Sequence, residues 1–342
     1  MTFARFSHTA TLLRSGKVLV AGGWAVASQV TTPTAELYDP STETWTVTGS
    51  MKTPRAFHVA VLLPSGKVLV AGGQRGSSPI QEARVIPDGA IASAELYDPD
   101  TGTWTETADM PVGGDSFAAI VLRSGKVFVT TRIPFSATGA AELYDPASGS
   151  WSTIGSSVQL GSATILASGK VLVVGAYALS AELYDPVTNA WRATGDMMLP
   201  RTGHTATLLP SGKVLIAGGG DGEIRNRPYS TADVYNPVTD TWTQARSMTT
   251  QHSGGTGTLL PSGDVLIAGG VTGRDGLGTR NSVDLYHPPT ATWTALGVMG
   301  TVRSSFTATL LGSGAVLFAG GQGFSFASDP YASAEIYALT CP

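Results

Sequence analysis

Short apolar runs with a period of two recur along the whole chain, bounded by Gly, Pro, Ser, Asp or Thr. That is the pattern of short β-strands joined by tight turns. Four such runs form a unit, and we label them strands a, b, c and d: HVAVLL (58–63), KVLVAGG (67–73), AELYD (94–98) and TWTET (103–107). Pro-Ser-Gly or a variant (64–66, 210–212, 261–263) closes a to b, where glycine takes positive φ, and Asp-Pro followed by Ser, Thr or Gly closes c to d. A hexad of the form Ala-Glu-Leu-Tyr-Asp-Pro begins at Ala35, Ala94, Ala141, Ala181, Ala232, Val283 and Ala334, and a tryptophan follows the first six at Trp45, Trp104, Trp151, Trp191, Trp242 and Trp293. The period is about 50 residues. One four-stranded unit cannot cover both of its faces alone, so the units are expected to stack around an axis.

A Gly-Gly doublet ends strand b at Gly22-Gly23, Gly72-Gly73, Gly218-Gly219, Gly269-Gly270 and Gly320-Gly321, and every strand c carries a tyrosine: Tyr38, Tyr97, Tyr144, Tyr184, Tyr235, Tyr286 and Tyr337. Doublet, Tyr and a Trp six to seven residues beyond it resemble the kelch family over nearly the whole chain. The resemblance implies an all-β, seven-bladed kelch-type β-propeller occupying residues 1–342 as one domain. Repeats 3 and 4 depart from the pattern, with Thr131-Arg132 and Gly175-Ala176 where the doublet is expected. The sequence supplies 27 blade strands, since no tryptophan-bearing strand d follows the seventh hexad. The kelch family commonly closes its ring with a strand lent from one terminus. Here either blade 7 is three-stranded, which is the reading adopted, or the natural chain begins earlier.

In an antiparallel blade the a-to-b and c-to-d turns share one face, and the b-to-c and d-to-a connections share the other. The first pair is tight and uniform, whereas the b-to-c loops run from AYALS (176–180) to the long segment 74–93. Insertions in repeat proteins concentrate on the binding face, so the b-to-c face is the candidate. Five of six lysines (Lys17, Lys67, Lys126, Lys170, Lys213) fall in the uniform turns, while 11 of 15 arginines fall on the variable face. Arginine forms bidentate bonds to carboxylate, sulfate and phosphate, which suits an anionic ligand.

Arg5, Arg55, Arg201 and Arg303 recur at one phase before strand a, and every strand c opens with Glu or Asp (Glu36, Glu95, Glu142, Glu182, Asp233, Asp284, Glu335). These arginines therefore have two readings, as internal ties to those carboxylates or as ligand contacts. Together with Arg132 and Trp24 they are the candidate ligand-binding set. His8, His58 and His204 also share a phase, which points to packing or a hydrogen bond, whereas His252 replaces the repeat arginine of blade 6. Blade 3 places Gly114-Asp115 and Phe117 where Arg and His are expected, and blade 4 adds Tyr177. Positions that break a structural repeat are the better site candidates. If the chain is an enzyme, His252, Tyr177 and Asp115 are the candidate proton-transfer groups.

Composition limits the function classes. Gly contributes 42 residues, charged residues 13% and formal net charge is −4, which argues against a nucleic-acid partner. No apolar run reaches the length of a membrane span, so no membrane insertion is expected and the chain reads as a soluble, monomeric protein. The opening residues lack the apolar core of a signal peptide, as would those of an exported protein already processed. The one cysteine, Cys341, has no partner for an intrachain disulfide. No nucleophile elbow, zinc motif or phosphate loop is present, and no metal site or cofactor is expected. Copper oxidases with a related propeller use a Cys crosslinked to Tyr, and Cys341 lies outside any equivalent position. Plant kelch specifier proteins use a Glu-x-x-x-Asp-x-x-x-His run that is missing here. The expected function is a recognition propeller for a protein segment, an acidic glycan or an anionic small molecule. The alternative is a cofactor-independent lyase, epimerase or cyclase with an Arg, His and Tyr pocket at the axial mouth.

Overall fold

The computed structural model describes residues 1–25, 30–76, 89–132, 139–155, 161–175, 179–221, 227–272, 278–323 and 330–338. These residues form β-strands and turns, and no helix among them is long and apolar enough to cross a membrane. Six four-stranded antiparallel sheets and a seventh of three strands follow one another along the chain, giving 27 blade strands among the described residues. Blade 2 is representative: Val59–Leu62, Val68–Ala71, Ala94–Asp98 and Thr103–Thr107 pair in the order a, b, c, d. Among the described residues blade 7 has Thr307–Leu310, Val316–Ala319 and Ala334–Tyr337, with strand c at the edge.

The sequence of each strand matches its distance from the axis. Strand b is apolar at consecutive positions, and Val68–Ala71 is buried at every one of them, because neighbouring blades cover both of its faces. Strand d alternates Thr and Trp and is largely exposed at the rim. The core consists of side chains clamped between adjacent blades. Leu69, Ala71 and Ala94 of blade 2 meet Val127, Val129 and Tyr144 of blade 3 in one cluster. The ring closes in the same way, with Leu311, Leu317 and Ala319 of blade 7 packed on Val18, Val20 and Tyr38 of blade 1. Burying one such Val or Leu side chain contributes about 1.5–3 kcal/mol, so every junction holds its neighbours firmly.

The two ends of the ring differ as the loop lengths suggest. On the uniform face, Lys17, Lys67, Lys126 and Lys170 each pair with the closing aspartate of their own strand c, Asp39, Asp98, Asp145 and Asp185, all at 3.1 Å. Blade 6 exchanges the two places, with Asp264 3.1 Å from His287. On the other face short strands build outward. Arg5–Phe6, Trp24–Ala25 and Val30–Thr31 form a small sheet above blade 1, and Val271–Thr272 pairs with Gly278–Thr279 above blade 6. In blade 3, strands a and b lengthen toward this face as Asp115–Val121 and Val127–Arg132, with a register shift between Ser116 and Ala118.

Candidate functional site

The repeat-phase arginines enter the loop face and turn inward. The Arg55 guanidinium donates to Gly72 O at 2.8 Å, Ser93 O at 2.7 Å, Ser93 Oγ at 2.9 Å and Glu95 Oε1 at 3.1 Å. Arg5 makes the same set with Gly22, Thr34 and Glu36, Arg201 with Gly218, Thr231 and Asp233, and Arg303 with Gly320, Ser333 and Glu335. All four arginines are at most 1% exposed. Burial pulls the pKa of Arg5, Arg55 and Arg201 below the usual guanidinium value, and the facing carboxylate opposes that shift. These positions match the internal-tie reading, and the guanidinium groups themselves do not reach the solvent at the mouth.

The Gly-Gly doublet belongs to the same device. Gly23 N–H donates to Arg55 O at 2.8 Å, Gly270 N–H to Arg303 O at 2.9 Å and Gly321 N–H to Arg5 O at 2.9 Å, so each doublet grips the next blade, blade 7 to blade 1 included. A Cβ on Gly22 would lie 2.6 Å from Arg55 O, and Gly22 has φ of +68°, so glycine is required by both space and conformation. Arginine, doublet and strand-c acid thus recur together because they form one clasp between blades. A hydroxyl two residues before the acid completes it. Thr34, Ser93, Thr231 and Ser333 each accept from an arginine Nη2. The sequence carries that signal as Ser or Thr two places ahead of every strand-c acid except Glu142, where Ala140 stands.

His252 occupies the arginine place in blade 6 and makes the arginine's contacts. Nδ1 is 2.6 Å from Gly269 O and Nε2 is 2.9 Å from Asp284 Oδ2, with Thr250 Oγ1 also 2.9 Å from Nε2. A carbonyl at one ring nitrogen and a carboxylate at the other take the places they hold around the repeat arginine. The side chain is buried, and although burial is the largest single influence on Asp284 and raises its pKa, the bonds from His252, Thr249 and Thr250 together hold it below the usual carboxylate range.

The phased histidines form a belt between strands a of neighbouring blades. His58 Nε2 lies 3.0 Å from Thr9 Oγ1, His8 Nε2 3.1 Å from Thr307 Oγ1 and His204 Nε2 2.7 Å from Ser162 Oγ. Burial first, and the nearby clasp arginine second, pull the pKa of His8 down to about 3 and that of His204 to about 4, with His58 also well below its usual value. They are neutral struts of the ring. Trp24 is buried against Phe6 with ring centroids 6.4 Å apart, inside the small sheet above blade 1.

Blade 3 lacks the clasp arginine. Gly114 stands in its place, and a Cβ there would lie 2.2 Å from Arg132 O. Glu142 is fully buried and accepts from Val112 N–H at 2.9 Å and from Thr131 Oγ1 at 3.2 Å, with Thr131 filling the first doublet position. Without a cation beside it, burial pushes the Glu142 carboxyl up to about 7. At the next level outward Asp115 and Arg132 are cross-strand partners and form an ion pair. Two sequence-derived candidates, Asp115 and Arg132, are thus brought into contact by the fold. Asp115 is buried and Arg132 is about a third exposed, with 32% of its side chain accessible. Tyr177 and Cys341 lie outside the described residues.

The Kelch motif matches residues 5–52, 55–111 and 200–249, which are blades 1, 2 and 5. The chain is a kelch-repeat propeller. The three matched kelch blades are those that carry the complete set of clasp arginine, strut histidine, Gly-Gly, Tyr and Trp, so the match follows the clasp chemistry. No curated protein matches the chain in sequence. Among solved structures, a fungal alcohol oxidase of the AA5 family, in complex with copper, has a TM-score of 0.78 over 98% of this chain and 74% of that one, at 17% identity. At that identity the likeness shows the fold alone. Beyond the clasps, the kelch loop face presents Arg75, Arg227 and Arg280 as exposed side chains, and blade 3 adds the partly exposed Arg132.

Proposed function

We propose that this kelch propeller is a recognition module whose b-to-c loop face engages an acidic segment of a partner protein. The observation that supports this reading is how the cations are sorted. Arg5, Arg55, Arg201 and Arg303 are enclosed in clasps, and four of the lysines on the opposite face are paired in repeat. Arg75, Arg227 and Arg280 extend from variable loops on one face, and Arg132 adds a partly exposed guanidinium there. Arginine on such loops suits bidentate recognition of carboxylates, and complementary charge of this kind sets partner choice and association rate. Trp24 and the clasp arginines serve the site indirectly, by holding the floor on which the loops stand.

The test is binding of a fluorescein-labelled Glu-rich decapeptide, followed by anisotropy, with a sulfated oligosaccharide and inorganic phosphate as competitors. R75E, R227E, R280E and R132E combined should abolish peptide binding, and binding should weaken as salt rises. Equal loss from K17E and K213E on the opposite face would sink the assignment. Capture by the sulfated oligosaccharide alone would replace the protein segment with an acidic glycan. The enzymatic alternative is supported by the Asp115 and Arg132 pair, a buried carboxylate beside a cation. D115N would separate the two readings, because it leaves peptide binding intact and removes turnover of any anionic substrate.

A further inference from the structure

Strands a of neighbouring blades touch one another all the way round, blade 7 to blade 1 included, so they enclose the axis of the ring. At the loop-face end of five of them, the residue two places after the clasp residue bends the chain with positive φ: Ser7 at +51°, Phe57 at +54°, Gly203 at +65°, Gly254 at +65° and Ser305 at +52°. Backbone bonds link these bends into an inner collar. Ser7 N–H donates to Ser305 O at 2.9 Å, Phe57 N–H to Ser7 O at 3.1 Å and Gly254 N–H to Gly203 O at 2.8 Å. The collar rims the axial mouth on the loop face.

Glycine or serine stands at four of these five bends, and Phe57 is the exception. It is unfavourable there on two counts. A bulky side chain costs backbone energy at that φ, and the ring is 40% exposed instead of filling the core. The collar bond uses the backbone alone, so serine or glycine would serve the fold as well. Two buried polar atoms adjoin Phe57 without a hydrogen-bond partner among the described residues. One is Ser7 Oγ, on the residue whose carbonyl accepts the Phe57 N–H, and the other is Nε1 of Trp24, whose ring clusters with Ala56 next to Phe57. Buried polar groups ordinarily have a partner, so an exposed strained ring beside two unsatisfied atoms has the character of a binding position.

We propose that Phe57 is a platform at the axial mouth for an aromatic side chain of the acidic partner segment, an inference that rests on the recognition reading given above. The charges around the mouth support that occupant. Arg75 extends from blade 2, Arg132 from blade 3, Arg227 from blade 5 and Arg280 from blade 6, so acidic residues on either side of the aromatic one meet cations on both sides of the ring. Protein interfaces commonly have this anatomy, with an aromatic anchor near the centre and charge at the rim. Blades 5 and 6 stand across the ring from blade 2, and their collar residues Gly203 and Gly254 project no side chain, which leaves the space facing Phe57 to the occupant. An aromatic side chain gains more there than an aliphatic one, because paired rings attract beyond the area they bury.

The experiment compares two fluorescein-labelled Glu-rich decapeptides, one with a central tyrosine and one with alanine in its place, by anisotropy with the full chain. The parent should bind the tyrosine peptide about tenfold more tightly, the scale of one buried aromatic contact. F57S installs the residue found at the same bend in blades 1 and 7, and should bring the tyrosine peptide down to the affinity of the alanine peptide. R227E, which removes charge from the rim, should weaken both peptides by the same factor. F57S and F57G should unfold at the parental urea concentration or above it, since the ring contributes to the mouth and not to the core. Equal affinity of the parent for the two peptides, or a preference that survives F57S, overturns this proposal and leaves the acidic-segment reading standing. Binding of neither peptide overturns both. A clear loss of urea stability in F57S and F57G would make Phe57 a structural residue and would overturn the proposal as well.

Discussion

Replacing Arg55 with methionine removes the cation from one clasp while keeping a long apolar stem. Glu95 is 1% exposed and would stay buried beside Gly72 O and Ser93 O, with only the N–H groups of Lys52 and Thr53 to bond it. Removing one partner of a buried ion pair typically costs about 3–5 kcal/mol. The molecule contains its own gauge of that cost in Glu142, the equivalent acid of a blade without arginine. Its shift from 4.5 to about 7 corresponds to about 3 kcal/mol, in the same range. The assay is urea unfolding of R55M and the parent at pH 5 and pH 8, followed by tryptophan fluorescence. An acid whose folded-state pKa is raised stabilises the fold below its unfolded pKa, and that contribution is lost as pH rises through the folded value. The deficit of R55M against the parent should therefore be small at pH 5 and approach about 3 kcal/mol at pH 8. R55M/E95Q should recover most of it, because the second change removes the stranded charge. The same sign applies to Glu142, so E142Q should flatten the parent's own loss of stability between about pH 4.5 and 7. A deficit that is independent of pH, or that E95Q leaves in place, would refute the clasp energetics.

Two further outcomes follow from the same geometry. H252A should destabilise the chain by roughly 3 kcal/mol in urea unfolding, because Asp284 loses the donor that faces it, whereas H252R should keep parental stability by restoring the repeat clasp. The imidazoles of His8 and His204 should remain neutral in nitrogen-detected NMR titrations down to pH 5, since their folded values are about 3 and about 4. Their depressed values also make the fold lose stability as pH falls from the unfolded value of 6.5 toward those figures. H8Q should reduce that acid sensitivity, and titration of either ring near 6.5 would contradict the buried belt.

What the sequence alone determined is what a local period can encode. A period of two marks every strand and a recurring hexad counts the blades, the seventh of which has three strands among the described residues. Charge position was also legible, because loop length separates the variable face from the uniform one. The fate of each charge was not. Arg55 and Glu95 are 40 residues apart, and the N–H of Gly23 meets the carbonyl of Arg55 in another blade. Strand pairing within blade 2 brings the first two together, and packing of blade 1 on blade 2 brings the second two within bonding distance and removes water from between them. His252 stands out as an irregularity in the repeat, yet its position shows it acting as a shorter arginine. Asp115 and Arg132, separated by 17 residues and without a repeat signature to link them, meet because the lengthened strands of blade 3 put them in register. Burial decided which arginines hold the propeller together and which remain exposed on its loops, and burial is a property of the packed ring.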